Sequence, residues 1–262
     1  LLIAPQEISF LNAALSLIAV ALGAGAAGTL NMWYEADVDA IMTRTCLRPI
    51  PLGTVTKNHA LFFGIITSVI SIVALYFFSN LLSAIILAIT ILFYVVVYTI
   101  WLKRKTPQNI VIGGAAGALP PVIGWSIATG NINLEPILLF LIIFFWTPSH
   151  FWALSLYKSD DYKKANIPML PVTAGIKTTK INIFIYSLIL FGVALTPYFF
   201  NYSGISYFIF TFVIGCYYVY LCYNLIIEKK AELEKKLAKK IFFFSILYLF
   251  LIFSTILIDN IL

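Results

Sequence analysis

The sequence predicts an all-α, polytopic membrane bundle with eight visible transmembrane helices. Its 262 residues are 61% hydrophobic and only 11% charged, with a mean hydropathy of +0.98. A soluble domain of this size could not bury so much apolar surface. A bilayer removes that constraint, because helices satisfy their own backbone hydrogen bonds in lipid. The two further observations are the apolar runs and the distribution of basic residues.

The apolar runs are each long enough to cross a bilayer, which takes about 20 residues. We expect spans at 8–33, 59–79, 81–102, 109–129, 135–157, 180–200, 204–227 and 241–261. Apolar residues at 1–4 precede a polar stretch and resemble the end of an earlier span. The prediction is therefore one transmembrane domain over 1–262, truncated at its N-terminus.

All basic residues fall in alternate loops. Segments 34–58, 103–107, 158–180 and 228–240 together contain all 17 Lys and Arg residues. The positive-inside rule predicts this segregation for eight alternating spans and makes the basic side cytoplasmic, or the matrix side in an organelle. The net charge of +6 then reflects topology and contact with anionic lipid, and gives no indication of nucleic-acid binding.

The first acidic cluster follows the first span. Asn31, Glu35 and Asp39 are spaced four and four, so on a helix they share one face. Such groups at a membrane boundary are costly unless a cation lies against them, and Mg²⁺ prefers these oxygen ligands together with substrate phosphates. Asp37 falls about 200° around from Glu35 and is expected to face elsewhere. The alternative is that these acids are simply solvated.

A second acidic cluster, Asp160 and Asp161, follows the fifth span on the same side. Two acidic patches facing each other predict Mg²⁺ bound between carboxylates and a diphosphate leaving group. The catalytic candidates are accordingly Asn31, Glu35, Asp39 and Asp161, and Asp160 joins them as a predicted metal ligand.

Basic residues near these clusters are candidates for binding phosphate oxygens. Arg44 and Arg48 are four residues apart and suit bidentate contacts, and Lys158, Lys163 and Lys164 flank the second cluster. The alternative for each of these basic residues is that it binds no ligand and only contributes to the positive charge of the cytoplasmic loops.

The predicted acceptor pocket contains His150, Trp33 and Tyr157. A lone histidine inside a span is expensive and is more often functional than one in a soluble protein; a hydrogen-bonded structural role is the alternative. The small residues and prolines of 113–124 predict a tightly packed, kinked helix, with space for a bulky ligand beside it as a second interpretation.

Four stretches together resemble a known family. They are Asn31–Asp39 with Met42, Arg44 and Arg48; Gly113–Gly124; Trp146–Phe151 with His150; and Asp161–Val172. They resemble the UbiA-type superfamily of intramembrane prenyltransferases and, within it, the protoheme IX farnesyltransferase (heme O synthase) family. The last stretch, together with Pro120-Pro121 and His150-Phe151, distinguishes this family from its relatives much better than the first stretch does.

The resemblance implies nine helices in the intact chain, with the first one missing here. It also implies farnesyl diphosphate as donor, heme b as acceptor substrate, Mg²⁺ as cofactor, and a bacterial inner membrane (or mitochondrial inner membrane) with the active site on the cytoplasmic side. A hand-off to a heme A synthase or oxidase-assembly partner would fit, but no motif identifies one. Tyr157 stands four residues before Asp161, where the superfamily usually has an acid, so the number of metal ions is left open.

Two alternatives remain at this point. One keeps the superfamily and changes the acceptor to a quinone precursor or a chlorophyll-type ring, against which the 161–172 stretch argues. The other is a transporter, whose ionisable groups usually lie near the bilayer midplane. The acids of this chain cluster instead at one edge of the predicted membrane domain.

Overall fold

The computed structural model describes residues 1–261, which form helices joined by turns and loops. In chain order the helices are α1 (Phe10–Tyr34), α2 (Ala36–Ile41), α3 (Lys57–Phe78), α4 (Leu81–Leu92), the π-helix (Phe93–Leu102), α5 (Asn109–Ala118), α6 (Pro120–Thr129), α7 (Leu134–Tyr157), α8 (Ser159–Lys164), α9 (Leu170–Thr173), α10 (Gly175–Phe199), α11 (Ile205–Ile227) and α12 (Ala231–Ile261).

Eight helical spans within residues 1–261 are long and apolar enough to cross a membrane, as predicted. Two of them begin at least five residues before the predicted apolar runs. The span predicted at 180–200 starts at Gly175, and the one predicted at 241–261 starts at Ala231. The hydrophobic boundary marks where lipid ends, whereas backbone hydrogen bonding continues past it.

The charged segment 228–240, with Glu232 four residues before Lys236, predicts a short amphipathic surface helix with an ion pair between these two residues. The prediction of a separate helix is wrong. Residues 231–240 are the first turns of α12, whose 31 residues extend about 46 Å. These turns are held in place because Glu234 pairs with the buried Lys180 at the start of α10. The expected pair between Glu232 and Lys236 is present at 2.7 Å.

Helix α7 lies at the centre of the bundle and packs against α5, α10 and α12, while α1 packs mainly on α3. One large apolar core surrounds α7, α10, α11 and α12, and a second joins α1, α3, α4 and α6. A third core at the basic side joins the segment after α1 to the segment after α7; it consists of Val38, Met42, Ile110, Tyr162, Ala165, Ile167 and Met169. This third core brings the two acidic segments together.

The glycine- and proline-rich run is both tightly packed and bordered by open space. The helix ends at Ala118 and restarts at Pro120, so the predicted kink is confirmed. A Cβ added to Gly113 would lie 2.1 Å from Cδ2 of Tyr98, whereas one added to Gly117 would meet nothing within 4 Å. Gly117 and Pro120 line an apolar cavity, which fits the second interpretation of this run.

We expect Gly113→Ala to lower the melting temperature of the purified protein, because the new methyl group must displace the half-buried Tyr98 ring. Overpacking of this kind costs about 1–3 kcal/mol. Gly117→Ala is the matched control on the same helix and should be neutral or stabilising, since alanine is the better helix former. Equal melting temperatures for the two variants in detergent would contradict this account of the packing.

Candidate active site

The predicted stripe of Asn31, Glu35 and Asp39 is present. Although α1 ends at Tyr34, the helical register continues, because Glu35 N donates to Asn31 O at 2.9 Å and Asp39 N donates to Glu35 O at 2.8 Å. All three side chains are buried. The four-residue spacing therefore stacks them on one face at the basic end of α1.

Each buried acid of the stripe is paired with a cation from another segment. Glu35 Oε2 binds the Lys103 ammonium, and Arg48 Nη1 donates to Asp39 Oδ2 at 2.8 Å. Buried carboxylates need such partners, since an uncompensated charge in this position is strongly destabilising. Lys103 is a site residue that the sequence analysis missed, because the positive-inside rule already accounts for a lysine there.

The Asn31 amide is oriented by its hydrogen bonds. Its Nδ2 donates to Glu35 Oε2 at 2.8 Å and to Thr99 Oγ1 at 3.1 Å, while the Thr99 hydroxyl donates to Tyr94 O. The Thr99 hydroxyl must therefore accept a hydrogen bond from Asn31, which identifies the side-chain atom facing Thr99 as the amide nitrogen. The other side-chain atom, Asn31 Oδ1, is then a further oxygen that can bind a metal ion. Thr99 lies in the π-helix, a backbone form that is frequent at functional sites.

Two buried oxygens of the site have no partner among the described residues. They are Glu35 Oε1 and Asn109 Oδ1. The Asn109 amide nitrogen already donates to Thr106 O at 2.7 Å and Lys103 O at 3.2 Å, so only its oxygen is free. Unpartnered hard oxygens in a buried site fit Mg²⁺, which takes few protein ligands and completes its shell with phosphates and water.

Within residues 1–261 no group of three or more His, Cys, Asp or Glu side chains is already arranged to hold a metal ion. The cavity between these residues is also small, about 50 Å³, against about 300–1,000 Å³ for typical ligand pockets. It is lined by Val38, Asp39, Met42, Arg44, Arg48, Tyr98, Lys103, Asn109, Ile110, Phe151, Tyr162, Ile167 and Met169. In this conformation the acids and bases contact each other, so a ligand must separate them.

The two residues of the second acidic cluster make different contacts, and neither lines the polar cavity. Asp161 accepts a hydrogen bond from the Thr43 hydroxyl, which joins α8 to the segment after α2. Asp160 is exposed and lies 3.7 Å from Lys235, away from the cavity. Its assignment as a metal ligand stays a prediction that this geometry does not support. Burial raises the pKa of the neighbouring Tyr162 phenol, so this cavity-lining group stays protonated.

Of the predicted phosphate-binding residues, Arg44 and Arg48 line the cavity. Lys158 lies over the Tyr157 ring, 5.2 Å from its centroid, while Lys163 and Lys164 are exposed on α8. These three lysines do not line the cavity and remain predictions.

Asp37 faces away from the stripe, as expected. It is exposed and forms a two-point ion pair with Arg104, with N–O distances of 2.7 and 2.8 Å. The hydrogen bond from Arg104 lowers the pKa of Asp37 to about 2. Asp37 is therefore charged throughout the physiological range and attaches α2 to the segment that follows the π-helix.

The three predicted acceptor residues are not equivalent. His150 stacks between Trp146 and Phe242, and the ring of Tyr157 lies 6.4 Å from the same Phe242. Trp33 is half-buried on α1, where its nearest aromatic neighbour is Tyr34, and it lines none of the described cavities. Tyr98, Phe151 and Tyr162 are the aromatic residues that border the small polar cavity.

An apolar cavity of about 230 Å³ lies between α1, α4, α5 and α6, within the membrane-spanning part of the bundle. Ala27 and Gly28 line it, one helical turn before Asn31 on the same face of α1. A polar site with basic side chains and an apolar cavity along the same helix suit an amphipathic ligand with an anionic head.

Comparison with known proteins agrees with this geometry. Residues 1–247 match the sequence model of the UbiA prenyltransferase family. The chain belongs to the UbiA prenyltransferase family. It is 62% identical over its full length to the protoheme IX farnesyltransferase of Pelagibacter ubique, covering 86% of that protein, and 51% identical over 99% of its length to that of Parvibaculum lavamentivorans, covering 82%. The resemblance stated from the motifs is thereby confirmed.

Solved structures show the same UbiA fold. A digeranylgeranylglyceryl phosphate synthase superposes with a TM-score of 0.79 at 20% identity, over 97% of this chain and 88% of that one. A UbiA homologue from Archaeoglobus fulgidus, described as bound to DMAPP and Mg²⁺, superposes with a TM-score of 0.69 at 18% identity, over 95% and 89% of the two chains. The predicted all-α membrane bundle is confirmed.

We expect Lys103→Met to lower the melting temperature, because it leaves the fully buried Glu35 carboxylate without its cation. Breaking a buried pair in this way costs about 3–5 kcal/mol. Added Mg²⁺ should stabilise this variant more than it stabilises the unmodified protein, since the metal then supplies the missing charge. Lys105→Met, at an exposed position nearby, is the control. A Lys103→Met variant that matches the control in both measurements would contradict the pairing.

Proposed function

We propose that this UbiA-family chain transfers a farnesyl group from farnesyl diphosphate to a vinyl group of heme b, yielding heme O and diphosphate. The observation that carries the proposal is the buried oxygen set of Asn31, Glu35 and Asp39, at the end of a helix that also lines an apolar cavity. Support for the particular substrates comes from the full-length relatives named protoheme IX farnesyltransferase.

Mg²⁺ would be held by the oxygens of Asn31, Glu35, Asp39 and Asp161. Asn109 Oδ1 would be a further oxygen ligand, which the sequence analysis did not identify. When bound, Mg²⁺ neutralises charge on a diphosphate leaving group. Lys103 and Arg48 pair with the acids in this structure. On arrival of the substrate they exchange these carboxylates for phosphate oxygens, together with Arg44.

The reaction breaks the allylic C–O bond of the donor and forms one C–C bond to the heme vinyl carbon. The electron pair of the broken bond leaves with diphosphate. Water adds to the remaining vinyl carbon, completes the hydroxyethyl link and releases one proton. The apolar cavity excludes water from the allylic cation until the vinyl group attacks. The aromatic rings of Tyr98 and Phe151, which line the small polar cavity, suit a nearby cation.

The basic end of the bundle is the cytoplasmic side in this proposal, and the membrane is a bacterial inner membrane. The segregation of all basic residues supports this orientation. Both substrates carry large apolar parts, so they reach the site from the lipid while the diphosphate head stays at the cytoplasmic edge.

Two alternative functions would require different features of the structure. Another acceptor, such as a quinone precursor, would use the same diphosphate site, and only the acceptor side would change. A transporter would need its polar groups deeper in the membrane, whereas Glu35 and Asp39 lie at the end of the first span. Membership of a transferase family also argues against it.

Purified protein in detergent, given heme b, farnesyl diphosphate and Mg²⁺, should form heme O, detected by chromatography and mass spectrometry. Parallel reactions offer 4-hydroxybenzoate or a chlorophyllide in place of heme. Removal of Mg²⁺ with EDTA should stop product formation, and its return should restore it. Prenylation of another acceptor with no heme O would overturn the proposed substrate and leave the prenyl-transfer chemistry standing.

Asp39→Ala should abolish heme O formation, with a loss of about 100-fold or more, because it removes a carboxylate from the buried oxygen set. Asp37→Asn is the matched control, since this acid lies two residues away and is exposed. It should keep most of the activity. Circular dichroism and gel filtration would verify that both variants fold, and unchanged turnover by Asp39→Ala would refute the assigned role.

A further inference from the structure

The walls of the apolar cavity between α1, α4, α5 and α6 consist largely of glycine and alanine. All of its lining residues lie within 20–123. The small ones are Gly23, Ala24, Ala27, Gly28, Ala116 and Gly117. A Cβ added to Gly28 or to Gly117 would meet nothing within 4 Å. The space beside these helices therefore exists because the wall residues have little or no side chain.

The directions of the helices determine which end of this cavity is near the acidic stripe. Helices α1 and α4 run toward the basic side of the bundle, whereas α5 and α6 run away from it. The near end is formed by Gly28, Tyr94 and Ala116, and the far end by Val20, Leu87 and Ile123. Tyr94 lines this cavity, and Tyr98 lines the polar cavity. Their ring centroids are 5.4 Å apart, so the two cavities are neighbours.

Leu87 closes the far end by packing on α1. A Cβ added to Gly23 would lie 3.0 Å from Leu87 Cδ1 and 3.3 Å from Leu87 Cδ2, so the leucine side chain rests directly on the α1 backbone. Leu87 and Ile123 are only 2% and 1% exposed. Side chains packed this closely leave no space for a ligand to extend further. We call Leu87, Ile123 and Val20 the floor of the cavity.

The depth of the floor matches a chain of three prenyl units. Gly23, against which Leu87 packs, and Val20 precede Asn31 by 8 and 11 residues, which is about 12–16 Å along the axis of α1. Each prenyl unit adds four carbon–carbon bonds of about 1.5 Å, so three units in a zigzag span about 15 Å. A fourth unit brings the length to about 20 Å, which exceeds the distance from the stripe to the floor.

We propose that Leu87, packed on Gly23, limits the donor's chain to three prenyl units and is thus a specificity-determining residue. This assignment rests on the proposed function for the position of the diphosphate at the stripe. With the head bound there, the tail extends along α1 and its last unit contacts the floor. A shorter tail leaves apolar surface of the floor uncovered and loses binding energy. A longer tail contacts the floor before its diphosphate reaches the stripe.

The test compares geranyl, farnesyl and geranylgeranyl diphosphates, which contain two, three and four prenyl units. Their affinities for the full chain are measured in detergent with Mg²⁺ and without any acceptor, by competition against radiolabelled farnesyl diphosphate. The unmodified protein should prefer farnesyl diphosphate. Leu87→Ala should raise the affinity for geranylgeranyl diphosphate relative to farnesyl diphosphate by about 10-fold or more, the effect of a few carbon atoms in an apolar pocket.

Ile86→Ala is the matched control for Leu87→Ala. Ile86 is the preceding residue on α4 and is buried in the same apolar core, but it does not line the cavity. Both substitutions remove a core side chain, so both should lower the melting temperature. Only Leu87→Ala should change the donor preference. Equal preferences of the two variants for the three donors would overturn the role of Leu87.

Gly117→Leu makes the opposite change without removing any core side chain. Its new side chain enters the open cavity and should shift the preference from farnesyl toward geranyl diphosphate. Gly192→Leu on α10 is the control, because a Cβ there also meets nothing within 4 Å and Gly192 lines none of the described cavities. If both variants prefer farnesyl diphosphate to the same degree, the tail does not occupy this cavity.

Turnover with heme b, measured separately, distinguishes this inference from the proposed function. If heme O forms while Leu87→Ala and Ile86→Ala select the same donors, the chain-length assignment is wrong and the proposed function stands. If the donor affinities follow Leu87 and Gly117 but no donor yields a prenylated heme, the chain-length assignment stands and the proposed reaction is wrong.

Discussion

The pairing of two buried carboxylates with two cations from other segments is the interaction on which this site depends. Glu35 and Asp39 are almost fully enclosed, and each is compensated by one basic side chain, Lys103 and Arg48 respectively. Since an uncompensated charge at that depth is strongly unfavourable, these pairs connect α2, the loop after it and the end of the π-helix. Formation of the site and folding of the basic side are therefore one process, and the polar cavity is closed as long as both pairs persist.

The apolar half of the molecule is built on a different constraint, the close approach of helices in lipid. Gly113 allows Tyr98 to lie directly against α5, and the helix is interrupted between Ala118 and Pro120. Where a small residue faces a neighbouring helix, side chains of that helix fill the space beside it. Where it faces no neighbour, as at Gly117, a cavity remains. One short run of sequence thus supplies both a rigid wall and a space beside it.

The features that local helical geometry determines were predictable from the sequence, and those that depend on distant partners were not. The stripe of Asn31, Glu35 and Asp39 follows from a four-residue period, and the eight spans follow from hydropathy. Lys103 pairs with an acid 68 positions away, which no local pattern encodes. Asp160 and Asp161 are neighbours in sequence but face different directions on α8. The charges of residues 231–240 indicate correctly where the lipid ends. They do not indicate that helix α12 continues beyond this boundary.

The apolar cavity between α1, α4, α5 and α6 also determines how concentration should be counted for this protein. Its lining belongs to membrane-spanning helices, so a hydrophobic ligand is supplied from the bilayer. Its supply is then a matter of diffusion in two dimensions and of mole fraction in the lipid, rather than molarity in the aqueous phase. An affinity measured in micelles consequently changes with the amount of detergent, while the same protein in a bilayer encounters its hydrophobic ligands already concentrated and oriented by the membrane.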